Sequence, residues 1–235
     1  MPGLLVTIAL LSFTQGPFAA QSRVRISLFS LFKPQAIEVH LARGAAALVD
    51  AGRLDGSREL GPGERARVRL AGDGLTITLL DPFGRVRHSV ASKQARIIPQ
   101  GEAEFDLVLP GKMRRQVRGE LLIRPQEAGP RARLQITLAT DVESAVARVV
   151  AAEMYGKREA EALKALAVVA RTFMLSHAGR HREEGFDFCD TTHCQLYRGE
   201  ADLASDLADA AVSRAVAETA GEVLAYGGDT IEAYF

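Results

Sequence analysis

The sequence has no tryptophan, and aromatic residues make up only 6% of its 235 positions. Few flat faces are therefore available for stacking a ligand. Recognition must lean on hydrogen bonds, with Tyr155, Tyr197 and Tyr234 as candidate stacking surfaces. There is no net charge, since Lys+Arg and Asp+Glu both number 29, so nothing in the charge balance points to nucleic acid or a membrane surface. Cysteine occurs only twice. No internal repeat, low-complexity run, dinucleotide fingerprint or P-loop is present, and Gly61-Pro62-Gly63 reads as a turn rather than a phosphate cradle. The longest apolar run, residues 4–13 (LLVTIALLSF), is too short to span a bilayer.

That run does fit the apolar region of a secretory signal. Gly16-Pro17 follows it, and Ala19-Ala20 supplies small residues for a cleavage site. The basic leader is missing, because no Lys or Arg precedes Arg23; an uncleaved helix or a core strand is the alternative. The expectation is a signal peptide over 1–20 and an exported protein in the cell envelope or outside the cell.

Apolar residues make up 47% of the chain, enough for a real core in one or two domains. Residues 23–140 read as strands: RVRISLF, AIEVHL, ARVRL, LTITLL, AEFDLVL, GELLIR and RLQITL, broken by turns such as Asp81-Pro82-Phe83-Gly84 and Pro110-Gly111. Their many Arg and Lys residues are interspersed with acidic ones, which fits solvated strand faces better than a polyanion site.

The pattern then changes period. Val146, Val149, Val150 and Glu153 fall at i, i+3, i+4 and i+7, one face of a helix. A carboxylate continuing an apolar stripe is expected to be desolvated and its pKa raised, as a general acid requires; the alternative is that Glu153 reaches out from the last turn. A second helix is predicted over 158–177. Its Glu161, Lys164 and Arg171 form either a solvated stripe with one ion pair or the wall of a cleft, with Arg171 donating to a ligand. A third is predicted over 203–220, with Leu203, Leu207, Ala211 and Ala215 on one face and Gly221 as its stop. A hairpin follows, EVLAY and TIEAYF around Gly227-Gly228-Asp229.

Between the last two helices lie Cys189, His193 and Cys194, with Asp187, Asp190, Thr191 and Thr192 around them. Thiolate and imidazole in one turn suit zinc, with water, His177, His181 or substrate in the fourth position. A Cys189–Cys194 disulfide is the competing reading in an exported protein. The neighbouring Asp and Thr residues are equally suited to turns and caps.

Four blocks now stand in order: AAEM, EALKALAVVARTF, FDFCDTTHCQLYRG and AVAETAGEVLAYGGDTIEAYF. Together with RRQVRGELLI (114–123) they resemble the stage II sporulation protein D family, which includes amidase-enhancer proteins, over residues 114 to 235. The resemblance implies an α+β fold: a β-rich N-terminal region (23–140), then a helical catalytic core with a terminal β-hairpin (141–235) that looks truncated at its C-terminus. It implies a peptidoglycan lytic transglycosylase, with Glu153 of the "EM" block as general acid and base. Peptidoglycan glycan strands are then the substrate, a cell-wall amidase is a potential partner, and nucleic acid is not. Lys164, Arg171, Asp190, Thr192, Gln195 and Tyr197 become substrate-binding candidates. It also tips the Cys189, His193 and Cys194 trio towards a structural zinc. Leu166 and Phe173 stand where the family usually has Gln and Tyr, which puts substrate contacts there in doubt. A non-catalytic, peptidoglycan-binding amidase enhancer and a zinc-dependent hydrolase are the alternative functions.

Overall fold

The computed structural model describes residues 23–50, 57–127, 129–154, 159–197 and 206–233. The predicted signal segment, Tyr155, Tyr234 and Leu203 lie outside them.

The chain folds as α+β, as the strand and helix patterns require. The strands are β1 (Arg23–Leu28), β2 (Ala36–Asp50), β3 (Arg58–Leu60), β4 (Arg65–Ala71), β5 (Gly74–Leu80), β6 (Val86–Ser92), β7 (Ala95–Leu109), β8 (Met113–Arg118), β9 (Glu120–Gln126), β10 (Arg133–Asp141), β11 (Phe188–Cys189), β12 (Ala225–Tyr226) and β13 (Asp229–Thr230). The helices are α1 (Val142–Glu153), α2 (Ala160–Ser176) and α3 (Asp206–Glu218). One sheet runs β11-β1-β10-β9-β7-β2-β4-β5-β6, with β3 beside β2 and β8 beside β7. β12 and β13 form a separate hairpin. Gly227 and Gly228 both sit at positive φ, 63° and 96°, in its two-residue turn, which only glycine adopts cheaply.

Alternation explains the edge that matters for function. In RVRISL, Val24 and Ile26 point inward while Arg23 and Arg25 stay exposed. β10 is buried nearly throughout, since β1 and β9 flank it and α1 packs against it. Leu134, Ile136 and Leu138 of β10 share one core with Val146, Val149 and Val150 of α1 and with Leu163, Ala167, Ala170 and Phe173 of α2. Burying a side chain of this size stabilises by roughly 1.5–3 kcal/mol. This shared core fuses the strand-rich and helical halves.

The boundary expected near residue 140 is a direct hand-over. Asp141 ends β10 and caps α1, its Oδ1 accepting the Ser144 N–H at 2.8 Å. Beyond α2 the chain returns to the same sheet, where β11 pairs in parallel with β1, Ile26 with Phe188 and Ser27 with Cys189.

Candidate metal centre and catalytic carboxylate

The two-residue strand β11 is too short to hold itself, and two aspartates fasten it to β1. Asp187 accepts the Arg25 N–H at 2.8 Å and forms a two-point ion pair with the Arg25 guanidinium, at 3.3 and 3.0 Å. Asp190, only 5% exposed, accepts the Phe29 N–H at 2.6 Å and the Ser30 N–H at 3.1 Å and pairs with buried Arg115 of β8. Asp190 is therefore not a substrate contact: both its oxygens are committed to the fold. Asp187 is likewise a fastening to β1 rather than a turn former.

The stretch before β11 is fixed from the sheet as well. A 3-10 turn, Arg182–Glu184, follows His181. The Glu184 carbonyl accepts from Arg124 of β9 and from Gln135 of β10. Gly185, at φ 88°, lets the chain turn under the Arg124 guanidinium, where a Cβ would collide.

These anchors bring four ligating side chains together. His181, Cys189, His193 and Cys194 place one ligand atom each within 4.8 Å of one another. His181 Nε2 lies 3.2 Å from Cys194 Sγ, and His193 Nδ1 lies 3.7 and 3.6 Å from the sulfurs of Cys189 and Cys194. A tetrahedral zinc, with sulfur at about 2.3 Å and nitrogen at about 2.0–2.1 Å, sets neighbouring ligand atoms roughly 3.3–3.8 Å apart. The three separations given lie close to those edges, so the cluster could hold such an ion. Both cysteines are free thiols, so the disulfide reading is not what the fold adopts.

His181 stands beside the three predicted residues as the candidate for the fourth place. His177 does not: it stacks on Phe173, 4.2 Å between ring centres, and hydrogen-bonds Ser176. An outer shell is present too, with His181 Nδ1 2.6 Å from Glu184 Oε1 and Thr191 Oγ1 3.2 Å from Cys189 Sγ. A carboxylate behind a ligating imidazole fixes its tautomer and raises its basicity. The hydrogen bond from the Cys194 thiol, helped by Thr191 and His193, holds Cys189 down to about 4, while Cys194 is pushed up by the same bond.

The remaining candidates separate. Arg171 is 1% exposed and does not face a cleft. Its Nε and Nη2 donate to the two Glu143 oxygens at 2.8 and 2.6 Å, and Nη1 donates to the Glu222 carbonyl at 2.9 Å. It clamps α2 to α1 and to the turn after α3. Lys164 is drawn to Glu161 at 3.1 Å and across to Glu218 of α3 at 2.7 Å, so it braces two helices. Tyr197 is buried and lines a cavity of about 280 Å³ together with Arg148 and Ser213, so its ring is not a surface platform. Thr192 is exposed beside the cluster. Gln195 is 7% exposed, and neither end of its amide has a hydrogen-bond partner.

Glu153, the last residue of α1, is exposed. The desolvated stripe expected from its i+7 position does not reach it, because burial ends with Val149, Val150, Ala151 and Ala152. Its carboxylate makes no hydrogen bond or ion pair with any described residue.

Residues 131–226 match the family model described as SpoIID, Stage II sporulation protein. The likeness to that family lies in this stretch, which is less than half of the chain. It begins just before β10 and takes in all three helices, β11 and the metal-ligating cluster. The chain is also 36% identical over 104 residues to Stage II sporulation protein D of Bacillus subtilis (strain 168), a match covering 40% of this chain and 30% of that relative. No solved structure matches. The SpoIID match sets the edge of the family region inside the sheet, about ten residues before the change of period at Asp141.

Proposed function

We propose that the protein is a peptidoglycan lytic transglycosylase that cuts glycan strands to 1,6-anhydro-muramyl ends. The observation that carries this reading is Glu153: an exposed carboxylate with no partner among the described residues, at the end of a helix whose other face is buried, within the stretch that matches the SpoIID model. Hydrolysis of a glycosidic bond ordinarily needs two carboxylates, one for the leaving oxygen and one for water or attack. When the muramyl C6 hydroxyl is the nucleophile, one carboxylate suffices. Glu153 donates its proton to the leaving oxygen, then accepts the proton of the C6 hydroxyl as the anhydro ring closes.

Zinc belongs to the same proposal, held by His181, Cys189, His193 and Cys194. Bound there, it would cross-link the turn before β11, β11 itself and the turn after it. The apolar run at 4–13 with Ala19-Ala20 behind it supports export to the envelope, where the substrate lies. The exposure of Glu153 also favours one other reading, a peptidoglycan-binding amidase enhancer that performs no cleavage.

The test is mass spectrometry of purified glycan strands incubated with wild type and with Glu153→Gln. Anhydro ends from wild type, with a loss of about 10²–10⁴-fold in the variant, are the expected result. Equal rates remove Glu153 from the chemistry. Reducing ends from wild type make the enzyme a hydrolase, and no cleavage by wild type leaves the enhancer.

A further inference from the structure

Only three non-glycine residues among those described have positive φ: Phe29 at 59°, Lys33 at 46° and Glu127 at 61°. Such conformations are costly and concentrate where a binding surface needs them. All three line one or both of two cavities that share residues and together form a groove. A cavity of about 130 Å³ is lined by Phe29 and Lys33 and backs onto Cys189 and His181. A cavity of about 550 Å³ is lined by Lys33, Glu127 and Arg131. Lys33 and Arg133 line both.

The charge in this groove is unbalanced. Its two carboxylates are engaged, Glu127 by Arg133 and Glu184 by His181. Arg133 spends its Nε on Gln126 at 3.1 Å and its Nη1 on Glu127. Lys33 and Arg131 make no hydrogen bond or ion pair with any described residue. Two uncommitted cations and a half-committed guanidinium therefore converge on a concave surface in which no carboxylate is free. The cation at Lys33 is held by a backbone that an unconstrained lysine would avoid.

We propose that this groove, on the β1–β2 and β9–β10 connections, is a carboxylate-binding site that grips the acidic groups of the glycan strand. The inference rests on the proposed substrate. Peptidoglycan offers a carboxylate from two sources, the lactyl group of muramic acid where the stem peptide has been removed, and the peptide's own termini where it has not. The shared chemistry, a carboxylate on a polar chain, is what a fork of Lys33, Arg131 and Arg133 recognises.

The experiment measures binding rather than cleavage, in the full chain carrying Glu153→Gln so that strands stay intact. Titrations use peptide-free strands, the same strands with lactyl carboxylates amidated, and strands retaining stem peptides. Lys33→Gln with Arg131→Gln is expected to weaken binding to a carboxylate-bearing strand about tenfold and to leave binding to amidated strands unchanged. Loss confined to peptide-free strands assigns the lactyl group; loss confined to peptide-bearing strands assigns the peptide. Lys33→Arg with Arg131→Lys keeps the charges and is expected to keep affinity, which separates charge from fold. Unchanged affinity in the double Gln variant, equal weakening for amidated strands, or no strand binding by the parent overturns the proposal. A chain that binds as described but yields no anhydro ends with Glu153 intact retains the groove and loses only the transglycosylase reading.

Discussion

Asp190 is the residue on which fold and candidate site most directly meet, and its replacement by alanine separates two roles. As a substrate contact its loss would impair activity and spare stability. As a fastening its loss must destabilise. Asp190 and Arg115 are both buried, and removing one partner of a buried ion pair typically costs about 3–5 kcal/mol, because the other charge stays desolvated. The Phe29 N–H also loses its acceptor in a buried position, a penalty of about 1–3 kcal/mol. The Ser30 N–H is partly exposed, so water replaces the carboxylate there. These contributions overlap, and the expected total is about 4 kcal/mol. For a chain of this size each kcal/mol lowers the melting temperature by roughly 2–4 °C, so Asp190→Ala is expected to melt about 8–16 °C below wild type. Since the Asp190 carboxylate fastens the residue beside Cys189 to the Phe29 and Ser30 N–H groups, bound metal should fall in parallel. Asp190→Leu combined with Arg115→Met removes both charges and should recover part of the loss. Scanning calorimetry and metal analysis decide. A melting point within about 2 °C of wild type, with full metal content, refutes the reasoning and returns Asp190 to the cleft.

Three further outcomes are expected. Purified protein should carry one zinc per chain, and His181→Ala should lower its affinity by more than the roughly 10–100-fold typical of an outer-shell change, read by competition with a chromogenic chelator; unchanged affinity means the fourth ligand is not His181. At pH 8, where ordinary imidazoles are neutral, zinc uptake should release about one proton, from Cys194, because Cys189 at about 4 is already a thiolate. Calorimetry in buffers of different ionisation enthalpy counts it, and two protons contradict the shared-proton pair. The sign follows: Cys189 lies below its ordinary value, so its share of apo stability is fully present above the unfolded thiol's pKa and is lost as pH falls towards 4. Arg171→Met should destabilise by about 1–3 kcal/mol in urea titrations, because the Glu222 carbonyl loses its donor while half-exposed Glu143 is partly rehydrated; a stable single variant with lost activity would restore Arg171 as a ligand contact.

What the sequence made legible was whatever repeats with a period. The alternation of RVRISL and the i, i+3, i+4 spacing of Val146, Val149 and Val150 are local signals, and both elements lie where those signals put them. The cysteine and histidine trio was legible for the same reason, since its members lie within six residues. Polar residues whose meaning depends on a distant partner were not legible. Arg171 and Glu143 are 28 positions apart, Asp190 and Arg115 are 75, and Asp187 and Arg25 are 162. In the sequence each is a charged residue near a promising motif, and a ligand-facing role and a buried clamp look identical there. Only the fold tells them apart, because it buries at least one partner of each pair, and a desolvated charge must be satisfied within the fold before it is free to serve a substrate. By the same physics a carboxylate at a helix end with no such obligation among the described residues is informative. Glu143 is held by Arg171, Asp187 by Arg25 and Asp190 by Arg115, while Glu218 is drawn to Lys164 and Glu184 to His181. Glu153 stands apart from all of them. Its periodicity was a misleading argument for burial, and its freedom from the fold is the better argument for chemistry.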